Sequence, residues 1–173
     1  MTSERFPLPE DFPDREVLTW EHFGHAIRDL ARTVVASAWV PEAVVAIARG
    51  GLIPAGAIAY ALDSKAMGTV NVEFYTGVGA TLVDPVVLPP ALDVNDLRGR
   101  RVLVVDDVAD SGRTLQLVQQ LLTDEGAQVR TAVIYAKPSS MIVPDYAWRR
   151  ADAWVMFPWS SLPPVTGTGQ ADA

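Results

Sequence analysis

A chain of 173 residues is the length of one domain, and 49% hydrophobic residues are enough to bury one sizeable core. With no cysteine it can form neither a disulfide nor a thiolate metal site nor a cysteine nucleophile, which fits a cytoplasmic protein. A net charge of -7 argues against a non-specific nucleic-acid binder, and Arg49, Asp63, Lys65 and Glu73 interrupt the most apolar half before it reaches the ~20 residues of a membrane span.

The start MTSERFPLPEDFPDRE is acidic and proline-rich, without the basic and apolar segments of a signal peptide. It reads as an extended arm, and the domain boundaries are set at 1–18 for the arm, 19–160 for the domain and 161–173 for a frayed tail. Thr19 can cap a helix in which Trp20, Phe23, Ile27, Leu30 and Val34 form one buried stripe, with Glu21 in its first turn. Ala43–Ala48 is a continuous apolar run suited to a strand covered on both faces. Arg49-Gly50-Gly51 follows as a turn, and Leu52, Ala55, Ile58 and Leu62 then keep helical spacing. Val70, Val72 and Phe74 alternate as the next strand, after which residues 75–96 hold repeated glycine and proline breakers and read as a long mobile loop.

Arg101–Val105 is a second apolar strand that ends in Asp106-Asp107, and the helix Arg113–Glu125 shows one face of Leu115, Val118, Leu121 and Leu122 before Gly126 stops it. Val129–Ala136 is a further strand, and Ala151–Phe157 is expected to be the last. Strands alternating with helices predict an α/β fold. The expected sheet is mainly parallel and doubly wound, with helices on both faces and ligands at the carboxyl ends of the strands.

The chemistry concentrates in VLVVDDVADSGRT, residues 102–114. The turn through Ala109, Asp110, Ser111, Gly112, Arg113 and Thr114 gathers backbone N–H groups, two hydroxyls and a helix N-terminus about one point, which suits a phosphate monoester. Asp106 and Asp107 stand just before it, where carboxylates can accept hydrogen bonds from vicinal ribose hydroxyls and help hold a hydrated Mg2+. A pair of aspartates after a strand also caps helices in many proteins. The full order of strand, acid pair, small turn and hydroxyls favours the site. His22 and His25, near Glu21, read as a solvated helix face, because no other histidine could complete a metal site.

This run resembles the signature of the type I phosphoribosyltransferases, whose substrate is phosphoribosyl diphosphate (PRPP). Ala48-Arg49-Gly50-Gly51 is similar to that family's diphosphate loop, often built on a non-proline cis peptide. Tyr135-Ala136-Lys137-Pro138, Asp152-Ala153-Trp154-Val155 and Pro158-Trp159 resemble the base-binding half of the bacterial xanthine-guanine branch; alone, Lys137 would read as a surface charge and Trp154 as core. The resemblance covers about Thr19 to Trp159. It implies PRPP binding by Arg49, Gly50, Asp106, Asp107 and residues 109–114, with Mg2+ at Asp107 and Asp106. It further implies Lys137 on a purine 6-oxo group, Trp154 stacked on the ring and the Val155 backbone at the pyrimidine edge. Asp110 would act as the catalytic proton acceptor, a small hood or lid would close from Tyr75 to about Leu92, and the chain would be a homodimer or homotetramer.

The implied activity is phosphoribosyl transfer from PRPP to hypoxanthine, guanine or xanthine in purine salvage. A PRPP-binding regulator without chemistry and transfer to a different acceptor stand as alternatives. Two departures are visible. Met156 occupies a position that is polar or acidic in the xanthine-guanine branch, and Phe74-Tyr75-Thr76 replaces the Ser-Tyr near the start of the lid.

Overall fold

The computed structural model describes residues 5–73, 86–87 and 94–165. Within it the chain forms two compact units, one of residues 25–152 and one assembled from both ends, residues 1–24 and 153–173.

The larger unit is built on a six-stranded sheet. Its strands are β2 (Ala43–Ala48), β3 (Met67–Glu73), β4 (Val86–Val87), β5 (Arg101–Ala109), β6 (Gln128–Ala136) and β7 (Tyr146–Arg150), in the order β4-β3-β2-β5-β6-β7. All pairings are parallel except β3 with β4. Helix α2 (Leu52–Ala61) links β2 to β3, and α3 (Arg113–Asp124) links β5 to β6. These crossovers run in opposite directions along the sheet, so right-handed connections put α2 and α3 on opposite faces.

The apolar runs are continuous because both faces are covered. Val45, Ile47, Val102, Val104 and Val133 pack with Leu115, Val118 and Leu122 of α3, while their alternates Val44, Ala46, Leu103, Val105 and Ile134 are equally buried. Leu121, expected on the same helix face, is only half-buried. Gly126 ends α3 at φ 92°, a conformation in which its N–H bonds to the Thr123 carbonyl.

In the smaller unit, β1 (Arg15–Val17) pairs in parallel with β8 (Trp154–Met156), and the Leu18 amide extends the ladder to the Met156 carbonyl at 3.0 Å. Helix α1 (Trp20–Ala36) starts here; the Thr19 hydroxyl accepts the His22 amide at 3.2 Å, the expected cap. Phe157 stacks on Trp159 at 4.9 Å, and Phe23, Trp20 and Phe6 extend this aromatic group.

Three sequence expectations change. The arm is not wholly extended, since it carries a short 3-10 helix at Pro9–Asp11, and it does not merely run over the surface, since it contributes β1 to a sheet. The last strand of the main sheet is β7, which the sequence reading missed, and the expected strand at 151–157 is β8 of the other sheet. Trp20 is 44% exposed, so the buried α1 stripe begins at Phe23. Within the expected long loop, Val86–Val87 pairs with Val72 and Glu73, and Val94–Leu97 is a 3-10 turn. Tyr75 and the rest of the expected lid fall outside the described residues.

Candidate functional site

The chain leaves β2 toward β3 on one side and β5 toward β6 on the other. The crevice at the carboxyl ends of β2 and β5 is therefore the topological switch point of the sheet, where ligands of open α/β folds bind. Both expected loops flank it, residues 48–51 after β2 and 109–113 after β5.

The first loop opens with a cis peptide between Ala48 and Arg49. The Gly51 amide turns back to the Ile47 carbonyl at 2.8 Å, which folds the loop tightly onto β5. A side chain at Gly51 would run into backbone, and one at Gly50 would displace the Asp107 carboxylate. A Cβ on Gly50 would lie 2.7 Å from Asp107 Oδ1, and one on Gly51 would lie 2.6 Å from the Ile47 carbonyl oxygen. The two glycines thus let the backbone of the Arg49 loop rest against the Asp106-Asp107 pair. Arg49 itself is exposed.

Strand β5 runs to Ala109, longer than its apolar run suggested, so both aspartates are strand residues. Asp106 pairs with Val133 and Ala109 with Ala136, which anchors the acid pair in the centre of the sheet. Asp106 Oδ1 accepts the Asp107 amide at 2.9 Å. Burial, followed by the neighbouring Asp107 charge, pushes the Asp106 carboxyl well above the ordinary carboxylate range.

Beyond β5 the chain makes a tight turn into α3. Asp110 and Ser111 are exposed, Gly112 takes φ 79°, and Arg113 and Thr114 begin α3. The Arg113 amide lies 3.5 Å from Ser111 Oγ. The left-handed Gly112 has a second constraint, for a Cβ there would stand 2.7 Å from Ile142 Cγ2.

That contact belongs to a seam that sequence reasoning missed. After β6 the segment Lys137–Ile142 lies along the Asp110–Gly112 turn. The Lys137 amide donates to the Ala109 carbonyl and the Met141 amide to the Ser111 carbonyl, both at 3.0 Å, and Ser139 Oγ lies 3.5 Å from the Asp110 carbonyl oxygen. Lys137 is largely covered, with 15% side-chain exposure, and its Nζ lies 3.3 Å from Oδ1 of the more open Asp110. Behind the seam, Asp145 Oδ2 accepts both the amide and the hydroxyl of the fully buried Thr131, fixing the return into β7. A threonine directly before the apolar run Ala132–Ile134 of β6 was the available sequence signal.

Thus Arg49, Gly50, Asp110, Ser111, Gly112 and Lys137 stand on the loops that follow β2, β5 and β6, Asp106, Asp107 and Ala109 on the last residues of β5, and Arg113 and Thr114 on the first turn of α3. Trp154 and Val155 are on β8 in the smaller unit; Trp154 is 66% exposed and Val155 is buried. His22 and His25 are exposed on α1. The donor set fits Mg2+: two adjacent carboxylates offer hard oxygen ligands and leave most of the shell to substrate oxygens and water, the usual arrangement for this ion.

The phosphoribosyl transferase domain model matches residues 15–161. A xanthine-guanine phosphoribosyltransferase of Gluconobacter oxydans is 34% identical over 148 residues, covering 84% of each chain. One from Cereibacter sphaeroides is 37% identical over 124 residues, 70% of each chain. A purine phosphoribosyltransferase structure from Pyrococcus horikoshii superposes with a TM-score of 0.75 at 34% identity, over 90% of this chain and 99% of that one. The domain model and the relatives agree, and the chain belongs to the phosphoribosyl transferase domain family.

Proposed function

We propose that this protein transfers the 5-phosphoribosyl group of PRPP to a 6-oxopurine (hypoxanthine, guanine or xanthine) and releases diphosphate, a pentosyltransferase step of purine salvage. The observation that carries this reading is the close packing of the Arg49-Gly50-Gly51 loop onto Asp106-Asp107, beside the turn 109–114. One loop suits the diphosphate, the acid pair the ribose hydroxyls, and the turn the 5-phosphate.

In this reading residues 19–160 form the transferase domain, between the arm 1–18 and the tail 161–173. The amides and hydroxyls at Ala109, Asp110, Ser111, Gly112, Arg113 and Thr114 bind the 5-phosphate at the start of α3. Arg49 and the backbone at Gly50 meet the diphosphate, where negative charge grows as the C1–O bond breaks. Asp107, together with Asp106, would hold Mg2+, which supplies electrostatic stabilisation of the departing diphosphate. Asp110 takes the proton from the purine or steadies the positive charge developing on the ring. Lys137 presents its ammonium to the 6-oxo oxygen, Trp154 stacks on the base, and the Val155 backbone reads the pyrimidine edge. The protein works in the cytoplasm as a homodimer or homotetramer.

Diphosphate release from PRPP and Mg2+ should be measured with hypoxanthine, guanine, xanthine and adenine supplied separately. Turnover is expected with one or more 6-oxopurines and not with adenine. PRPP binding without turnover on any base would overturn the transferase reading.

A further inference from the structure

A trans peptide is planar, and the carbonyl of one residue points opposite to the amide of the next. Fixing the carbonyls of a turn therefore fixes where its N–H groups face. In the turn after β5, three consecutive carbonyls are met from one side. The Lys137 amide donates to the Ala109 oxygen and the Met141 amide to the Ser111 oxygen, both at 3.0 Å, while Ser139 Oγ lies 3.5 Å from the Asp110 oxygen. Ala48-Arg49 is the only cis bond among the described residues, so the N–H groups of Asp110, Ser111 and Gly112 all turn away from the seam. Successive amides on one side of a turn make an anion-binding concavity.

The seam is itself braced. The Ser140 amide returns to the Lys137 carbonyl at 3.0 Å, and the Ser140 hydroxyl donates to the Ile142 carbonyl at 2.8 Å. Gly112 lies directly against Ser140 and Ile142. Met141 serves through its backbone, since the residue is 61% exposed.

We propose that Lys137–Ile142 is a positioning element of the phosphate site: through the Met141 amide and the Ser140 hydroxyl it aims the amides of residues 110–112 at the 5-phosphate of PRPP. The inference rests on the function proposed above, which puts the phosphate on this turn, and adds the residues that orient it. Neither Met141 nor Ser140 is assigned a contact with substrate. Their loss therefore raises the KM for PRPP and leaves kcat at saturating PRPP near its wild-type value.

The test is calorimetric titration of the full chain with ribose 5-phosphate, alongside steady-state kinetics with PRPP. Met141→Pro removes one N–H at an exposed position, and Met141→Ala keeps it. The proline variant is expected to bind ribose 5-phosphate about 10-fold more weakly and to raise the KM for PRPP by a similar factor, while the alanine variant matches the wild type. Ser140→Ala is expected to weaken binding about threefold, and Ser140→Thr, which restores the hydroxyl, to recover it. Melting followed by circular dichroism identifies the folded variants, and the Ser140 pair decides alone if Met141→Pro does not fold. Wild-type affinity in a folded Met141→Pro or in Ser140→Ala overturns the proposal, as does equal loss in Met141→Ala or a fall in kcat at unchanged KM. A wild-type chain that does not bind ribose 5-phosphate overturns instead the assignment of the turn to phosphate.

Discussion

Asp110 Oδ1 and Lys137 Nζ lie 3.3 Å apart, and the proposed chemistry asks both to turn to the purine. The base must therefore exchange its own contacts for an existing ion pair. Asp110→Asn keeps the size and removes the proton acceptor, so steady-state kinetics should show kcat reduced by about 10²- to 10⁴-fold with little change in PRPP affinity. Loss of PRPP binding instead would make Asp110 a structural residue of the turn. Asp106 makes a different prediction. Its folded pKa lies above the unfolded value, so the folded protein binds this proton more tightly than the unfolded chain does. The stability it contributes is complete below the unfolded value, about 3.9, and is lost as pH rises through the raised folded value. At pH 8, with chelator present, Asp106→Asn should raise Tm by a few degrees while weakening PRPP binding, and the gain should vanish toward pH 3. An unchanged Tm at pH 8 would show that the acid pair carries no such cost.

At the scale of elements, strands and helices buried on a regular period were the parts legible in the sequence. Ala43–Ala48 and α3 lie where their apolar runs placed them, because burial on both faces or along one stripe writes itself into every position. The turn 109–114 was legible for a related reason, since acids, glycine and hydroxyls in fixed order have few other uses. The edge was not. In β7, YAWRR, the charged Arg149 and Arg150 suit the border of a sheet, and they erase the period that marks an inner strand. The seam between Lys137–Ile142 and the 109–112 turn is mostly backbone hydrogen bonding, which no side-chain pattern records. Its support can be tested. Asp145→Ala leaves the amide and hydroxyl of buried Thr131 without their acceptor and should cost about 1–3 kcal/mol in urea unfolding. Thr131→Val combined with Asp145→Ala should cost less than the sum of the single changes. Simple additivity would mean that the two side chains act separately.

For the whole molecule, the division into units follows pairing rather than sequence order. Residues 25–152 contain every strand of the six-stranded sheet, whereas β1 has its hydrogen-bonding partner more than a hundred residues away in β8. The domain boundary drawn from the sequence at Thr19 followed helix capping and could not register that pairing. Removing residues 153–173 should strip the Leu18 amide of its protection against hydrogen exchange, because its acceptor is the Met156 carbonyl. Amides at the centre of β5 and β6, such as those of Val104 and Val133, should keep theirs. Equal loss at all these sites would show that the two units stand or fall together.

The β1–β8 ladder also sets an order of events during synthesis. The ribosome makes Arg15–Val17 early, yet the strand has nothing to pair with until Trp154–Met156 has emerged. The main sheet can assemble as its strands appear in turn, while the nascent amino end waits with Val17 and Leu18, both buried in the finished protein, still uncovered. A pause or premature stop before Trp154 would release a chain whose main sheet is complete and whose first strand is exposed, a ready substrate for chaperones and proteases.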